Sequence, residues 1–312
     1  MNLAALIVAY SRPDGVAKIL QVLVSNKISD IYISIDGPKN DLDKDNQKKI
    51  VDEASKYIDS ETRIHVVKRI QNLGAAGGVL AAVDWFFAEE EMGIIIEDDL
   101  RFDVDFCEFA LNALDQYRND PKVWMISGTQ LFPNYFVNGQ VTWSNYPMIW
   151  GWAGWADKWK IMREAIVADK KIEISKLLDR RYLFWLIGAK RALVGKVDAW
   201  DTPLAFEFQK RKKLCVLPPI NLVTNIGDDN VATNTSNKEK SLHLKIEKLP
   251  SNIDLSNEPN SKELQQYNLL LEKNVFRIKY RHVLIPYYSL LLDFIRFPKR
   301  NRKRPLSQRI TL

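Results

Sequence analysis

Three consecutive acids, Glu97, Asp98 and Asp99, close the run IIIEDDL at residues 94–100. The aliphatic residues ahead of them predict a buried strand that delivers all three carboxylates at its carboxyl end. In open parallel α/β sheets, that end is where ligands bind. Carboxylates this close repel one another unless a cation or hydrogen-bond donors stand beside them. Hard oxygen ligands suit Mg2+ or Mn2+, ions that commonly bridge a few carboxylates to a substrate's phosphates. Taken alone, EDD reads equally as a solvated acidic turn or a helix cap. A further carboxylate, Asp201 in AWDTPLAFEFQKRK, has Asp198 three residues earlier as its competitor. Asp201 alone reads as a helix N-cap ahead of TPLAFEF.

The elements that must position these acids alternate along the first 130 residues. LAALIVAY (3–10) predicts a buried strand, and the helix after it places Val16, Ile19, Leu20, Leu23 and Val24 at helical spacing. DIYISID (30–36) is a second strand ending in the turn-rich DGPKND, and a polar helix spans about 43–58. RIHVVKRI (63–70), a helix opened by NLGAAGG (72–78), the strand MGIIIEDDL (92–100) and VWMISGT (123–129) follow. Strand–helix alternation predicts an α/β fold with a mostly parallel sheet and helices on both faces. Beyond it, Trp, Tyr and Gly are dense, a helical stretch spans about 174–194, and KLCVLPPINLVTNIG covers 213–227. In the block 148–159, Trp152 and Trp155 lie among Gly151, Ala153 and Gly154. Such rings pack cores or cover the CH faces of a sugar; here they are candidates for the acceptor side.

Several classes fall away on position. No G-x-x-x-x-G-K-[ST] occurs, which sets aside a P-loop nucleotide triphosphatase. A dinucleotide-binding domain, or a nucleotidyltransferase on a similar sheet, should carry a glycine-rich loop after the first strand. SRPDG stands there, and the Gly-rich NLGAAGG follows the third strand. Among 312 residues, 46% hydrophobic and 27% charged, with two cysteines and three histidines, there is neither a disulfide framework nor Cys/His zinc spacing.

At this point the chain resembles the GT-A nucleotide-sugar glycosyltransferases. Within them it resembles bacterial family 2 enzymes and the EDD-motif N-acetylglucosaminyltransferase I type. Four motifs carry the resemblance in order: VAYSRP (8–13), SIDG (34–37), IIIEDDL (94–100), and WD followed by a strand ending NIG (200–227); together they span roughly residues 1–235. The Gly/Trp-rich block 148–159 is similar too. The resemblance implies a Rossmann-like GT-A sheet and an inverting transfer from a UDP-sugar to a saccharide hydroxyl. It implies that Asp99 holds the metal, Mn2+ or Mg2+, and that Glu97 and Asp98 contact sugar or ribose. Asp36 would accept from the uracil, with Arg12, Asn72 and Gly74 lining the nucleotide side; Asp36 also reads as a turn-stabilising residue before Gly37. Asp201 matches the catalytic base, with Trp200 beside it to raise its pKa. Bacterial relatives carry His shortly after NIG, where this chain has Asn234; Asp228 and Asp229 are the substitutes at hand.

The sequence divides into 1–241 as a catalytic domain (1–130 nucleotide-sugar side, 131–241 acceptor side with a lid loop over 228–241), a linker over 242–263, and a helical, basic segment over 264–312. From Lys273 onward there are 11 basic residues and one acidic, leaving 34 basic and 38 acidic in the remaining 272. The positive charge thus sits at one end of a mildly acidic body. VLIPYYSLLLDFI (283–295) is 13 residues long, short of the roughly 20 that a helical span needs. Beside seven basic residues in 296–312, it fits attachment to an anionic membrane surface or a packed helix with a solvated tail. The opening residues lack the layout of a secretory leader. The expectation is a cytoplasmic enzyme, peripheral on the inner face of the cell membrane, with a lipid-linked saccharide acceptor and no specific nucleic-acid partner. The alternative is a non-catalytic tethered scaffold or saccharide-binding protein on the same fold.

Overall fold

The computed structural model describes residues 3–133, 135, 140–176, 178–227 and 244–278. Asn234, the loop 228–241 and the basic tail from 279 onward lie outside them.

Strand β1 (Ala4–Ala9) is followed by helix α1 (Pro13–Ser25). Pro13 opens α1 where a missing N–H costs nothing, and Val16, Ile19, Leu20 and Leu23 form its buried stripe. Strand β2 (Asp30–Ile35) leads to α2 (Asp41–Ser55), N-capped by Asn40. Next come β3 (Arg63–Lys68), α3 (Gly74–Glu89), β4 (Met92–Glu97), β5 (Leu100–Phe102), α4 (Val104–Gln116) and β6 (Val123–Ser127). Then follow β7 (Thr142–Ser144), β8 (Trp152–Trp155), α5 (Ala156–Val167), α6 (Arg180–Leu193), α7 (Asp201–Arg211), β9 (Leu214–Leu217), β10 (Val223–Asn225) and α8 (Ser261–Leu270). Helices α4 and α5 and strands β5, β7 and β8 go beyond the elements named from the sequence. Helix α6 starts later than expected because Asp179 caps it, accepting from the backbone N–H of Arg181 at 2.8 Å and Tyr182 at 3.3 Å.

The main sheet has eight strands in the order β3-β2-β1-β4-β8-β6-β9-β7. β1, β2, β3 and β4 pair in parallel. β8 runs antiparallel to both β4 and β6, so β6 is parallel to β4, and β9 is parallel to β6. Only β7 and β8 run against the rest. The mixed α/β architecture with a mostly parallel sheet therefore stands as expected. Alternate residues of β1 serve opposite faces: Ala5 and Ile7 meet α1, α2 and α4, while Ala4 and Leu6 meet the layer that includes α3, α5, α6 and α7. Cover on both faces is why the central strands read as near-continuous apolar runs. Cys107 and Cys215 are buried free thiols.

The Trp block requires a correction. Trp152 and Trp155 are each 1% exposed, because β8 lies in the middle of the sheet and both of its faces are covered. Trp152 packs against Trp159, Trp200 and Phe87 with ring centroids 6.0, 6.1 and 6.5 Å away. Trp155 donates its indole N–H to the Leu114 carbonyl at 3.2 Å, and the Lys158 ammonium lies 3.6 Å from its ring centroid. Neither ring offers a face to an acceptor.

Residues 244–260 run along the body with little regular structure. Glu247 N–H donates to the Asn221 carbonyl at 2.9 Å, and Tyr117 Oη donates to the Leu255 carbonyl at 2.5 Å. Helix α8 then docks through Tyr267, fully buried, whose hydroxyl donates to Gln130 Oε1 at 2.6 Å. Among the described residues, no helix is long and apolar enough to cross a membrane.

Candidate active site

The chain moves from β1 to β2 to β3 on one side of β1, then returns to place β4 on the other. This reversal makes the carboxyl ends of β1 and β4 the crevice where open α/β sheets bind ligands. Strand β1 delivers Tyr10, Ser11 and Arg12 there, and β4 delivers Glu97, Asp98 and Asp99.

Asp98 is the anchor between the two strand ends. It is 4% exposed and accepts from Tyr10 N–H at 2.8 Å and Arg12 Nη1 at 3.1 Å. Burial pushes its carboxyl up to about 6, against the lowering by the Tyr10 N–H and the Arg12 charge. Gly15, in the first turn of α1, lies so close to the Asp98 carbonyl that a Cβ there would overlap it. Arg12, expected on the nucleotide side, is thus held against Asp98.

Asp99 meets the NIG segment. Its carbonyl accepts from Ile226 N–H at 2.9 Å, continuing the antiparallel pairing of β5 with β10. A Cβ at Gly227 would occupy the space of the Asp99 carboxylate. Only glycine allows that approach.

Glu97 is half-buried, and its carboxyl is pushed up to about 8, first by burial and then by the negative charges of Asp99, Asp98 and Asp201. Asp201 therefore enters the same electrostatic field from far along the chain. It opens α7, where its Oδ1 accepts from Thr202 N–H at 2.9 Å. Burial also raises its pKa. Trp200, just ahead of it, packs tilted against Trp152 and edge-on against Trp159, so the buried tryptophans fix the start of α7. Its competitor Asp198 is turned elsewhere, accepting from Ala76 N–H at 3.2 Å in the first turn of α3.

On the other side of β1, Asp36, Asn72 and Gly74 form one interlocked turn. The Asp36 carboxylate accepts from Leu73 N–H at 2.9 and 3.2 Å, and burial raises its pKa. Asn72 donates to the Gly37 carbonyl at 2.8 Å and accepts from Gly74 N–H at 3.2 Å. Gly74 has a φ of 77°, a left-handed conformation that favours glycine. The turn thus has a structural use for Asp36, matching its reading as a turn-stabilising residue.

Two residues not singled out from the sequence join the site. Tyr10 donates its hydroxyl to Asp43 at 2.6 Å, tying the end of β1 to α2; its place inside VAYSRP was the available signal. Arg101, directly after EDDL, is half-buried, with Asp98 and Asp99 countering the lowering of its pKa by burial. Among the described residues, no group of three or more His, Cys, Asp or Glu side chains is placed to hold a metal ion. Asp99, in its glycine cradle, is the carboxylate of this set that could offer an oxygen to a hard divalent ion.

The fold and site define a mixed α/β protein with an acidic cluster at its topological switch point. No family model matches the chain, and no curated protein does. Similar solved structures include UDP-glucose pyrophosphorylase from Acinetobacter baumanii, at 8% identity over 72% of this chain and 88% of that one, with a TM-score of 0.39. A 4-diphosphocytidyl-2C-methyl-D-erythritol synthase from Anaerococcus prevotii is 14% identical over 57% and 83%, with a TM-score of 0.34. HddC from Yersinia pseudotuberculosis, complexed with GMP-PN, is 14% identical over 46% of this chain and 59% of its own, with a TM-score of 0.29. This chain therefore spans less than two thirds of HddC. The strand order itself, not these distant likenesses, carries the fold assignment.

Proposed function

We propose that this protein is an inverting glycosyltransferase that moves a sugar from a UDP-sugar to a hydroxyl of a saccharide acceptor. The observation that carries the reading is the placing of Glu97, Asp98 and Asp99 at the end of β4, at the switch point of the sheet, with Asp201 at the start of α7 near enough for its charge to act on Glu97. Asp201 is the base: it takes the acceptor hydroxyl's proton as that oxygen attacks the anomeric carbon and the bond to the nucleoside diphosphate breaks. Burial suits it to this task, since a carboxylate of raised pKa is a stronger base. Asp99 would hold Mn2+ or Mg2+, and the ion would supply charge neutralisation for the departing diphosphate. Glu97 contacts the donor sugar, and Asp98 acts through Arg12 to hold the crevice in shape. Asp36, Asn72 and Gly74 line the nucleotide side.

The acceptor is proposed to be lipid-linked, as in surface polysaccharide or glycolipid synthesis, with the protein peripheral on the inner face of the cell membrane. Support comes from the concentration of basic residues at the C-terminal end of an otherwise mildly acidic chain. Calorimetric titration of UDP, GDP and CMP with and without Mn2+ tests the donor assignment. Mn2+-dependent binding of UDP alone is expected, and Asp99→Asn should lose it. UDP binding by Asp99→Asn with wild-type metal dependence would remove Asp99 as the metal ligand, and no nucleotide binding by the wild type would overturn the donor site.

A further inference from the structure

The loop between α5 and α6 buries one lysine and exposes three aliphatic side chains. Lys170, at its start, is 1% exposed and buried among protein groups, donating to Glu207 Oε1 at 2.9 Å and to the Ala165 carbonyl. A few residues later, Ile172, Ile174 and Leu178 are 51%, 83% and 93% exposed. The loop is nonetheless tightly built. Tyr182 Oη accepts from Glu173 N–H at 2.8 Å and donates to the Lys171 carbonyl at 3.3 Å, and Asp179 N–H donates to the Lys176 carbonyl at 3.0 Å. Backbone groups of the loop are thus tied down, while its aliphatic side chains are held out in solvent beside exposed polar ones such as Lys171 and Asp169.

We infer that this loop is a membrane-facing surface that inserts Ile174 and Leu178 into an anionic bilayer. Three observations favour a lipid surface. First, clustered aliphatic side chains held in solvent mark an interaction site. Second, residues 171–181 carry four basic residues, Lys171, Lys176, Arg180 and Arg181, against two acidic ones, the mix of apolar and basic groups that suits an anionic headgroup layer. Third, the described chain ends beside this loop. Arg181 pairs with Glu272 at 3.5 Å, and Phe276 packs on Trp185 with centroids 4.9 Å apart. The 34 residues from 279 to 312 therefore start at this face, and they hold nine basic residues and one acidic. Loop and tail would reach one bilayer from one side of the protein. The inference rests on the membrane-peripheral reading proposed above and adds a contact made by the folded body.

The test is vesicle co-sedimentation of the full chain with phosphatidylcholine alone and with phosphatidylcholine containing phosphatidylserine. The wild type is compared with an Ile174→Asp/Leu178→Asp double variant and a deletion of 296–312. Both substituted side chains are solvent-exposed, and an unchanged melting temperature checks that the fold is kept. The double variant should bind anionic vesicles on the order of tenfold more weakly or worse, with its tail intact. An Ile174→Trp reporter should be quenched by brominated acyl chains. Wild-type vesicle affinity in the double variant overturns the inference, even if deleting 296–312 releases the protein; that result would leave the tail reading standing. Loss of binding in the double variant but not in the deletion supports the loop and removes the tail. No binding of the wild type to either vesicle overturns both. A double variant that changes only self-association also overturns the loop assignment, since the surface would then face a second copy.

Discussion

Replacing Gly227 with alanine would separate the chemistry of the site from the stability of the fold. The added Cβ would lie about 1 Å inside the 3.4 Å at which ordinary contact begins, against Asp99 Oδ2, and 2.9 Å from Asn225 Oδ1. Both obstacles are ends of side chains, so the carboxylate can retreat by rotation. The backbone stays, and an alanine where φ permits even gains about 0.4–1 kcal/mol from the unfolded chain. The net change in unfolding free energy should therefore stay within about 1 kcal/mol. Function should not be spared: a displacement of about 1 Å in a group that positions the reaction costs on the order of a hundredfold in rate. Gly37→Ala is the contrast, because its Cβ would strike the backbone of Gln71 and Asn72, which cannot rotate away. That variant should lose roughly 1–3 kcal/mol or more. Urea denaturation and Mn2+-dependent UDP titration, followed by a transfer assay, read the two effects separately. Wild-type UDP affinity and turnover in Gly227→Ala would show that the NIG segment does not shape the Asp99 position, and the cradle would be meaningless.

Asp201→Asn should keep donor binding and lose about 10²–10⁴-fold in transfer, the usual contribution of a general base; near-wild-type turnover would remove it from that role. Lys170→Met should destabilise by roughly 3 kcal/mol, the low end for a broken buried pair because Arg211 still holds Glu207 at 2.9 Å; an unchanged urea midpoint would count against the pair. Lys158 gives a pH signature. Burial pushes its ammonium down to about 8 from 10.5, so between those values the unfolded chain binds more protons and stability should rise with pH. Lys158→Met should lose that rise, and a variant whose stability changes over pH 8–10.5 just as the wild type's does would refute the shift.

Much of the fold was legible because local patterns record how many faces of an element are covered. The apolar run of β1, the 3.6-residue stripe of α1 with Pro13 at its start, and the acids closing β4 are statements about burial that neighbouring residues make together. The position of EDD at a strand end followed from the same run. What local pattern lacks is the identity of the covering partner. Trp152 and Trp155 carry the same signal whether they face a sugar or a core, and only the insertion of β8 between β4 and β6 made them core. Asp198 and Asp201 are three residues apart and chemically identical, yet one caps α3 while the other shares the field of Glu97. The direction of α7 decides between them, and packing of Trp200 on distant tryptophans sets that direction. The sequence by itself thus determined strands β1 to β4 and β6, the early helices and the presence of an acidic strand end. Tertiary structure decided which far-off carboxylate joins that end, because the packing of Trp200 that places Asp201 acts across space and leaves no mark on residue spacing.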